Sequence, residues 1–301
     1  MDGSTQYIFY LGKGGVGKST LSALTALKLS YNFPVLLVSI DPAHNQSDIF
    51  VKKFSEKPTS VNKNLLVKEI DTDKWIKKYL GDIEEQMRKA YTYFTAFNLE
   101  KYFELIRYSP GIEEYTLITA FNKIKEQFSD KKFIVIDMPP TALALKFFSL
   151  PSISLIWIEQ LLKLRKEIIS RQEMITKVKL GKKEFELDKV LNKLTQQVKF
   201  YTELQQTFRN LYTTKINLVL NPDELSLAES KRIVNKLQGI GINISTLFVN
   251  KTHDDDDYDN IIKSFPKLPI IKTPNSVKPL IGLKVLEEFI SEITLTTHHN
   301  R

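Results

Sequence analysis

A chain of 301 residues that is 42% hydrophobic carries enough apolar surface for one large α/β domain or two modest ones. Its 43 basic against 35 acidic side chains give a formal charge of +8, but the lysines are spread from Lys13 to Lys284 without forming a block, which argues against a nucleic-acid-binding surface. Cysteine is absent, which excludes disulfides, thiolate metal sites and thiol chemistry.

From the N-terminus, Met1 to Gln6 is polar and leads straight into the apolar run Tyr7–Leu11. No signal peptide is therefore expected, and the chain reads as cytoplasmic. The run is a strand, and it feeds Gly12-Lys13-Gly14-Gly15-Val16-Gly17-Lys18-Ser19-Thr20, followed by the apolar-periodic segment Leu21 to Leu29. Strand, glycine-rich loop and helix in that order make a P-loop. Its backbone N–H groups turn inward to cradle phosphates, and a side chain at Gly14, Gly15 or Gly17 is expected to obstruct that turn. Lys18 is expected to bridge the β- and γ-phosphates and Ser19 to ligate Mg²⁺, while Thr20 sits where the helix N-terminus meets the α-phosphate. Lys13 is an extra cation inside the loop.

Pro34–Ile40 is the next strand, and it ends in the polar string Asp41-Pro42-Ala43-His44-Asn45-Gln46-Ser47-Asp48-Ile49-Phe50. Such loops at the carboxyl ends of strands are where α/β sheets place ligands. Leu65–Ile70 is a further strand. Residues 73–129 then hold no convincing strand and read as helices, interrupted by Ser109-Pro110-Gly111-Ile112-Glu113-Glu114. Phe133–Ile136 is a strand closed by Asp137, the arrangement in which an acid holds Mg²⁺ through water, and Met138-Pro139-Pro140-Thr141-Ala142-Leu143 follows.

Residues 143–213 are again helical in pattern. The most apolar stretch of the chain, Leu143 to Leu162, is interrupted by Lys146, Pro151 and Glu159 and reads as a buried or groove-lining helix, not a membrane span. Leu161, Leu164 and Ile168 share one helical face, Leu187, Leu191 and Leu194 another after a break at Gly181, and both faces are expected to be core. Three strands remain, Lys215–Leu220, Ile244–Val249 and Pro269–Lys272. Asp254–Asp257 reads as a solvated acidic loop and His298–His299 as a frayed end.

Together these give an α/β fold, a doubly wound, mostly parallel sheet. The expected division is a P-loop core of 1–72, 130–142 and 214–301, with 73–129 and 143–213 as helical insertions forming a helical subdomain.

The loop Gly12 to Thr20, with Lys13 inside it, resembles the deviant Walker A of the signal-recognition, Mrp and MinD-like class of P-loop proteins. Asp41 to Phe50 resembles switch I of the arsenite-pump and tail-anchored-protein-targeting ATPases, whose pattern is Asp-Pro-Ala-His-Asn-x-Ser-Asp. Asp137 to Thr141 resembles their switch II, except that Ala142 and Leu143 replace a glycine and a histidine. Ser109 to Glu114, Asn221 to Ser230 and Phe248 to Lys251 look like further family segments, and Thr273-Pro274-Asn275 with Pro279 to Leu286 matches the adenine loop more loosely.

What the resemblance implies is a homodimeric ATPase using ATP and Mg²⁺. In it Lys13 acts across the dimer, Asp41 orients the attacking water, Asn45 holds the γ-phosphate region and Asn250 reads adenine through its amide. Ser109 to Glu114 and the Asn221 to Ser230 loop would brace the dimer. A targeting factor would shield transmembrane helices in a groove built from residues such as Tyr91, Phe94, Phe97, Tyr102, Phe103, Leu155, Trp157, Leu161 and Leu162, and would meet a membrane receptor. The ATPase of an arsenite efflux system is the rival within the family, disfavoured because trivalent arsenic calls for thiolates. A MinD- or ParA-like positioning ATPase is the third reading, and Leu283–Leu295 lacks the basic amphipathic face it would need.

Overall fold

The computed structural model describes residues 4–90, 109, 111–176, 188–253, 258–292 and 297–298. In chain order the elements are β1 (Gln6–Gly12), α1 (Lys18–Ser30), β2 (Val35–Ser39), α2 (Asn45–Phe50), β3 (Thr59–Ser60), β4 (Leu65–Glu69) and α3 (Thr72–Ala90). There follow α4 (Ile112–Gln127), β5 (Phe133–Asp137), α5 (Thr141–Thr176), α6 (Lys189–Arg209), β6 (Thr214–Leu220) and α7 (Glu224–Gly239). The chain continues through β7 (Thr246–Thr252), α8 (Asp259–Ser264), β8 (Ile270–Pro274), α9 (Leu283–Glu292) and β9 (Thr297–His298).

One sheet runs in the order β3, β4, β2, β5, β1, β6, β7, β8, β9. Every pairing from β4 through β8 is parallel, and the two edge strands β3 and β9 are antiparallel additions. Each edge strand has two residues, too few for an alternation to show in sequence, and neither was expected. The seven expected strands are all present; β7 is displaced toward Thr252, leaving Ile244 in the approach to it.

Alternation along the strands builds a core on each face. Tyr7, Phe9 and Leu11 of β1, with Leu36, Val38, Ile134 and Ile136, pack under α4 to α8. Ile8 and Tyr10, with Val35, Leu37, Val67 and Val135, pack under α1, α2 and α9. Phe9 is fully buried and its ring lies 5.2 to 6.3 Å from those of Phe121, Phe147, Phe148 and Phe208. This edge-on aromatic cluster fastens the inner parts of α4, α5 and α6 to the sheet.

The described parts of 73–129 and 143–213 are helical, but the outer half of α5 departs from expectation. Leu161, Leu164 and Ile168 are 43, 52 and 44% exposed instead of core, and Ile153, Ile156 and Trp157 on the same side are 52, 63 and 67% exposed. The opposite face holds the buried Ile158 and Ile169 and the partly covered Leu155 and Leu162. The reason is length: α5 has 36 residues and outruns the sheet layer, so beyond its root α6 is its neighbour and covers one face of a helix that is apolar on two. Ion pairing of Arg165 with Asp188 at 2.8 Å and a Gln205 to Ser152 hydrogen bond at 2.9 Å hold the two helices together. Leu191 and Leu194 are half-buried. Tyr91, Phe94, Phe97, Tyr102, Phe103, Pro110, Gly181, Leu187, Asp254–Asp257 and His299 lie outside the described residues.

By length and composition Thr141–Arg171 would suffice to cross a membrane. Its first turns carry Ala144, Phe147 and Phe148, each at most 1% exposed within the sheet's core, so this part of the helix is a core element.

Candidate functional site

The carboxyl ends of β1, β2, β5, β6 and β7 lie side by side, and the loops leaving them converge. β1 sits between β5 and β6; α1 carries the chain from it to β2 over one face of the sheet, α5 and α6 carry it from β5 to β6 over the other, and the P-loop emerges at that reversal.

Two glycines of the loop are fixed by geometry. Gly12 adopts φ +150, and a Cβ there would stand 2.3 Å from the Val219 carbonyl oxygen of β6. Gly17 caps α1 in the left-handed region at φ +96, and a Cβ would stand 2.2 Å from Asn250 Nδ2. Gly15 needs its positive φ of +82 but no space within the protein, and Gly14 needs neither. The obstruction expected at Gly14 and Gly15 therefore does not come from the protein's own atoms.

Lys18 is 5% exposed, and its Nζ donates to the Lys13 carbonyl at 3.2 Å. Burial lowers its pKa, opposed by the charges of Asp137, Asp41 and Glu229, so the three acids that surround this ammonium are identified. The Lys13 side chain is half-buried and forms no ion pair among the described residues. Val16 is buried, while Gly14 and Gly15 are exposed and Ser19 and Thr20 half-exposed.

Asp41 is buried, and its Oδ1 accepts from Ala43 N at 3.0 Å, an Asx turn that starts switch I. His44 follows at φ 51 and heads α2, which returns Asn45 and Gln46 to the P-loop helix. Asn45 Nδ2 donates to Ser19 Oγ at 3.3 Å.

Asp137 is fully buried at the end of β5. Its Oδ2 accepts from Gln46 Nε2 at 2.9 Å and from Ser39 Oγ at 3.4 Å, while Oδ1 is buried without a partner. Burial raises its pKa to about 6; the Gln46 hydrogen bond and the nearby Ser19 hydroxyl oppose the rise, Asp41 adds to it and Lys18 counters it. A buried carboxylate oxygen with no donor, beside a serine hydroxyl at a phosphate cradle, fits a hard cation. No cluster of three His, Asp or Glu is present among the described residues, so Ser19 and Asp137 suit Mg²⁺ arriving with phosphate oxygens, not an all-protein cage.

Asn250 stands at the site, but its amide is turned onto the P-loop: Nδ2 donates to the Val16 carbonyl at 2.8 Å. Next to it Lys251, at φ 56, donates to the Gly15 carbonyl at 3.1 Å. Lys251, Gln46 and Ser39 are site residues to which the sequence pattern assigns no role. Glu229 accepts from Thr141 Oγ1 at 2.6 Å, tying α7 to the first turn of α5. Asp223 is a helix cap whose Oδ1 accepts from Ser226 N at 2.7 Å. Thr273 is buried in β8, and the Gly282 N–H donates to the Ile49 carbonyl of α2 at 2.7 Å, so the C-terminal loop packs on switch I.

Ala142 and Leu143 form the opening turn of α5, with Leu143 N donating to the Pro140 carbonyl at 3.1 Å. Switch II is thus helical at once after Pro140. Beside switch I, a cleft of about 550 Å³ is lined by Pro42, His44, Ser109, Gly111, Glu113 and Glu114 among others. Glu114 is ion-paired with Lys146 of α5 at 2.7 Å.

Comparison with known proteins agrees with this geometry. Residues 5–294 match the family model described as anion-transporting ATPase. A protein of Aquifex aeolicus (strain VF5) carrying the name arsenical pump-driving ATPase 2 is 30% identical over 93% of this chain and 96% of its own length. An ATPase ASNA1 homolog of Cryptosporidium parvum (strain Iowa II) is 32% identical over 82% of this chain and 65% of its own, so the chain spans just under two thirds of that relative.

Proposed function

The chain belongs to the anion-transporting ATPase family, and is an ATPase; from that premise we propose that it hydrolyses Mg²⁺-bound ATP as a cytoplasmic homodimer and shields the transmembrane helix of a tail-anchored membrane protein. The observation that carries the client is the exposed apolar side of α5, Ile153, Ile156, Trp157, Leu161, Leu164 and Ile168, on a helix whose first turn is switch II. In this reading residues 1–72, 130–142 and 214–301 are the ATPase core, and the outer parts of 73–129 and 143–213 form the helical subdomain that receives the client and docks on a membrane receptor.

Hydrolysis is phosphoryl transfer to water, with charge compensation and positioning as the protein's contribution. Lys18 contacts the β- and γ-phosphates, Asp41 orients the water and Asn45 steadies the γ-phosphate region. Lys13 reaches the phosphates of the partner protomer. Asn250 braces the P-loop through its amide nitrogen, and its amide oxygen is the group that would read adenine. Ser19 and Asp137 would hold Mg²⁺, which would neutralise charge on the phosphates.

Mg²⁺ requires ionised Asp137, whose carboxyl is held protonated to about pH 6 by burial. Because the folded pKa is raised, protons compete with the metal below that pH and not above it. Mg²⁺ affinity of the ATP-loaded protein should therefore fall about tenfold per pH unit below 6 and be flat above it. Titration of Mg²⁺ against a fluorescent ATP analogue from pH 5 to 8 reads this out; a flat profile throughout would remove Asp137 from the metal site.

The client assignment is tested by capture of a transmembrane-helix peptide in the presence of ATP. Each buried aromatic or branched anchor contributes about 2 kcal/mol, so Trp157→Ser together with Ile156→Lys should lower capture at least about tenfold with an unchanged melting temperature. Undiminished capture would move the client away from α5. Names of the Aquifex relatives favour a metalloid-pump role as the second reading, and an arsenite-dependent rise in ATPase rate would establish it over the first.

A further inference from the structure

Switch I carries a polar side chain where packing alone asks for an apolar one. Gln46 has no exposed surface, yet it lies on α2 between Ile49 and Phe50, which enter the core, and the P-loop helix. Its amide nitrogen, with two hydrogens to give, lies within hydrogen-bond distance of three acceptors on two other elements: Asp137 Oδ2 at 2.9 Å, the Ser19 carbonyl at 3.1 Å and Ser22 Oγ at 3.2 Å. Its Oε1, by contrast, is buried without any partner. Sealing an amide with an unsatisfied oxygen costs on the order of 1 to 3 kcal/mol, so the residue is not there for stability alone. The donor side is what the surroundings use.

We propose that Gln46 is the positioning residue of the metal site, clamping the Asp137 carboxylate by one oxygen and tying it to both switch I and the first turn of α1. This deepens the Mg²⁺-ATPase reading and rests on it. With Oδ2 occupied by the amide, the carboxylate is fixed in rotation and its other oxygen is kept for the cation's shell. Because the same nitrogen holds the Ser19 carbonyl, and the neighbouring Asn45 holds the Ser19 hydroxyl at 3.3 Å, the serine and the aspartate are set relative to each other by one two-residue segment. Displacement of α2 therefore disturbs both groups at once. Binding of the metal and the position of switch I become one equilibrium, with each favouring the other.

The test uses the full chain with Gln46→Met, which keeps length and apolar volume but removes the donor, and Gln46→Glu, which keeps shape but places a second carboxylate beside Asp137. Binding of a fluorescent ATP analogue is titrated in EDTA and against Mg²⁺, alongside the Mg²⁺ dependence of hydrolysis, with Asp137→Asn as the reference. Gln46→Met should bind the analogue in EDTA within about twofold of the unmodified chain, yet need at least about tenfold more Mg²⁺ for half-saturation. Gln46→Glu should weaken the metal dependence less than Gln46→Met, since an acid can recruit the cation. An unchanged Mg²⁺ midpoint in Gln46→Met, with Asp137→Asn shifted, would overturn the proposal while leaving the metal site in place. An unchanged midpoint in Asp137→Asn as well would overturn the metal-site reading itself. Should Gln46→Met not fold, Gln46→Leu is read by the same criteria, and loss of folding in both would assign Gln46 a purely structural role and overturn the proposal.

Discussion

Lys13→Ala should reduce ATP turnover about a thousandfold or more, the scale on which a cation supplied across an interface acts in phosphoryl transfer, while ATP still binds. The structure supplies the reason binding survives. What Lys13 gives its own loop is a backbone carbonyl, which accepts from Lys18 Nζ at 3.2 Å, and alanine keeps it. The half-buried side chain makes no ion pair among the described residues, so its removal breaks none within the protomer. Single-turnover hydrolysis and analogue binding measured side by side separate the two effects. Mixing Lys13→Ala with Asp41→Asn supplies a sharper result, since a mixed dimer pairs an intact Asp41 with an intact Lys13 from the other chain and should regain part of the activity. An unaffected rate in the single variant, or no recovery on mixing, would withdraw the trans assignment.

Gly17→Ala is expected to lower ATP affinity at least about a hundredfold, because two independent constraints meet at this residue. Its φ of +96 is disfavoured for alanine by about 1 to 2 kcal/mol. The added Cβ would also stand 2.2 Å from Asn250 Nδ2, so either the loop or the asparagine has to leave. Loss of the asparagine breaks its 2.8 Å bond to the Val16 carbonyl and leaves only Lys251, on the Gly15 carbonyl, to tie β7 to the loop. Gly81→Ala is the matched control, lying in α3 where a Cβ meets nothing within 4 Å and where alanine favours helix. Adding Asn250→Ala to Gly17→Ala should recover only the part due to the collision. Full affinity in Gly17→Ala, by calorimetry, would show that the loop does not use this conformation for nucleotide.

The central strands were legible because helices cover both faces, which leaves runs such as Val35–Ser39 apolar almost throughout. The P-loop was legible because glycine at Gly12 and Gly17 answers to backbone needs that few residues meet. Gln46 was not, since its burial depends on α1 and β5 arriving from elsewhere in the chain, and the same holds for the Thr141 to Glu229 bond. Asn250 stands against the P-loop, but which way its amide faces is a through-space fact. Leu161, Leu164 and Ile168 mark the limit most plainly: spacing shows that they share a face, whereas exposure depends on whether a neighbour reaches that far.

The continuity of α5 with switch II makes the helix a mechanical arm. Beyond the part fastened to the sheet, from Pro151 to Thr176, it extends about 39 Å, so a tilt of about 5° there sweeps its tip through roughly 3 Å. Pro151 lies 10 residues along, where it deprives the Phe147 carbonyl of a helical donor and sets the point at which such an arm bends. Ångström-scale events at Asp137 and Thr141 are thereby magnified, by leverage alone, to the width of a side chain at the far end.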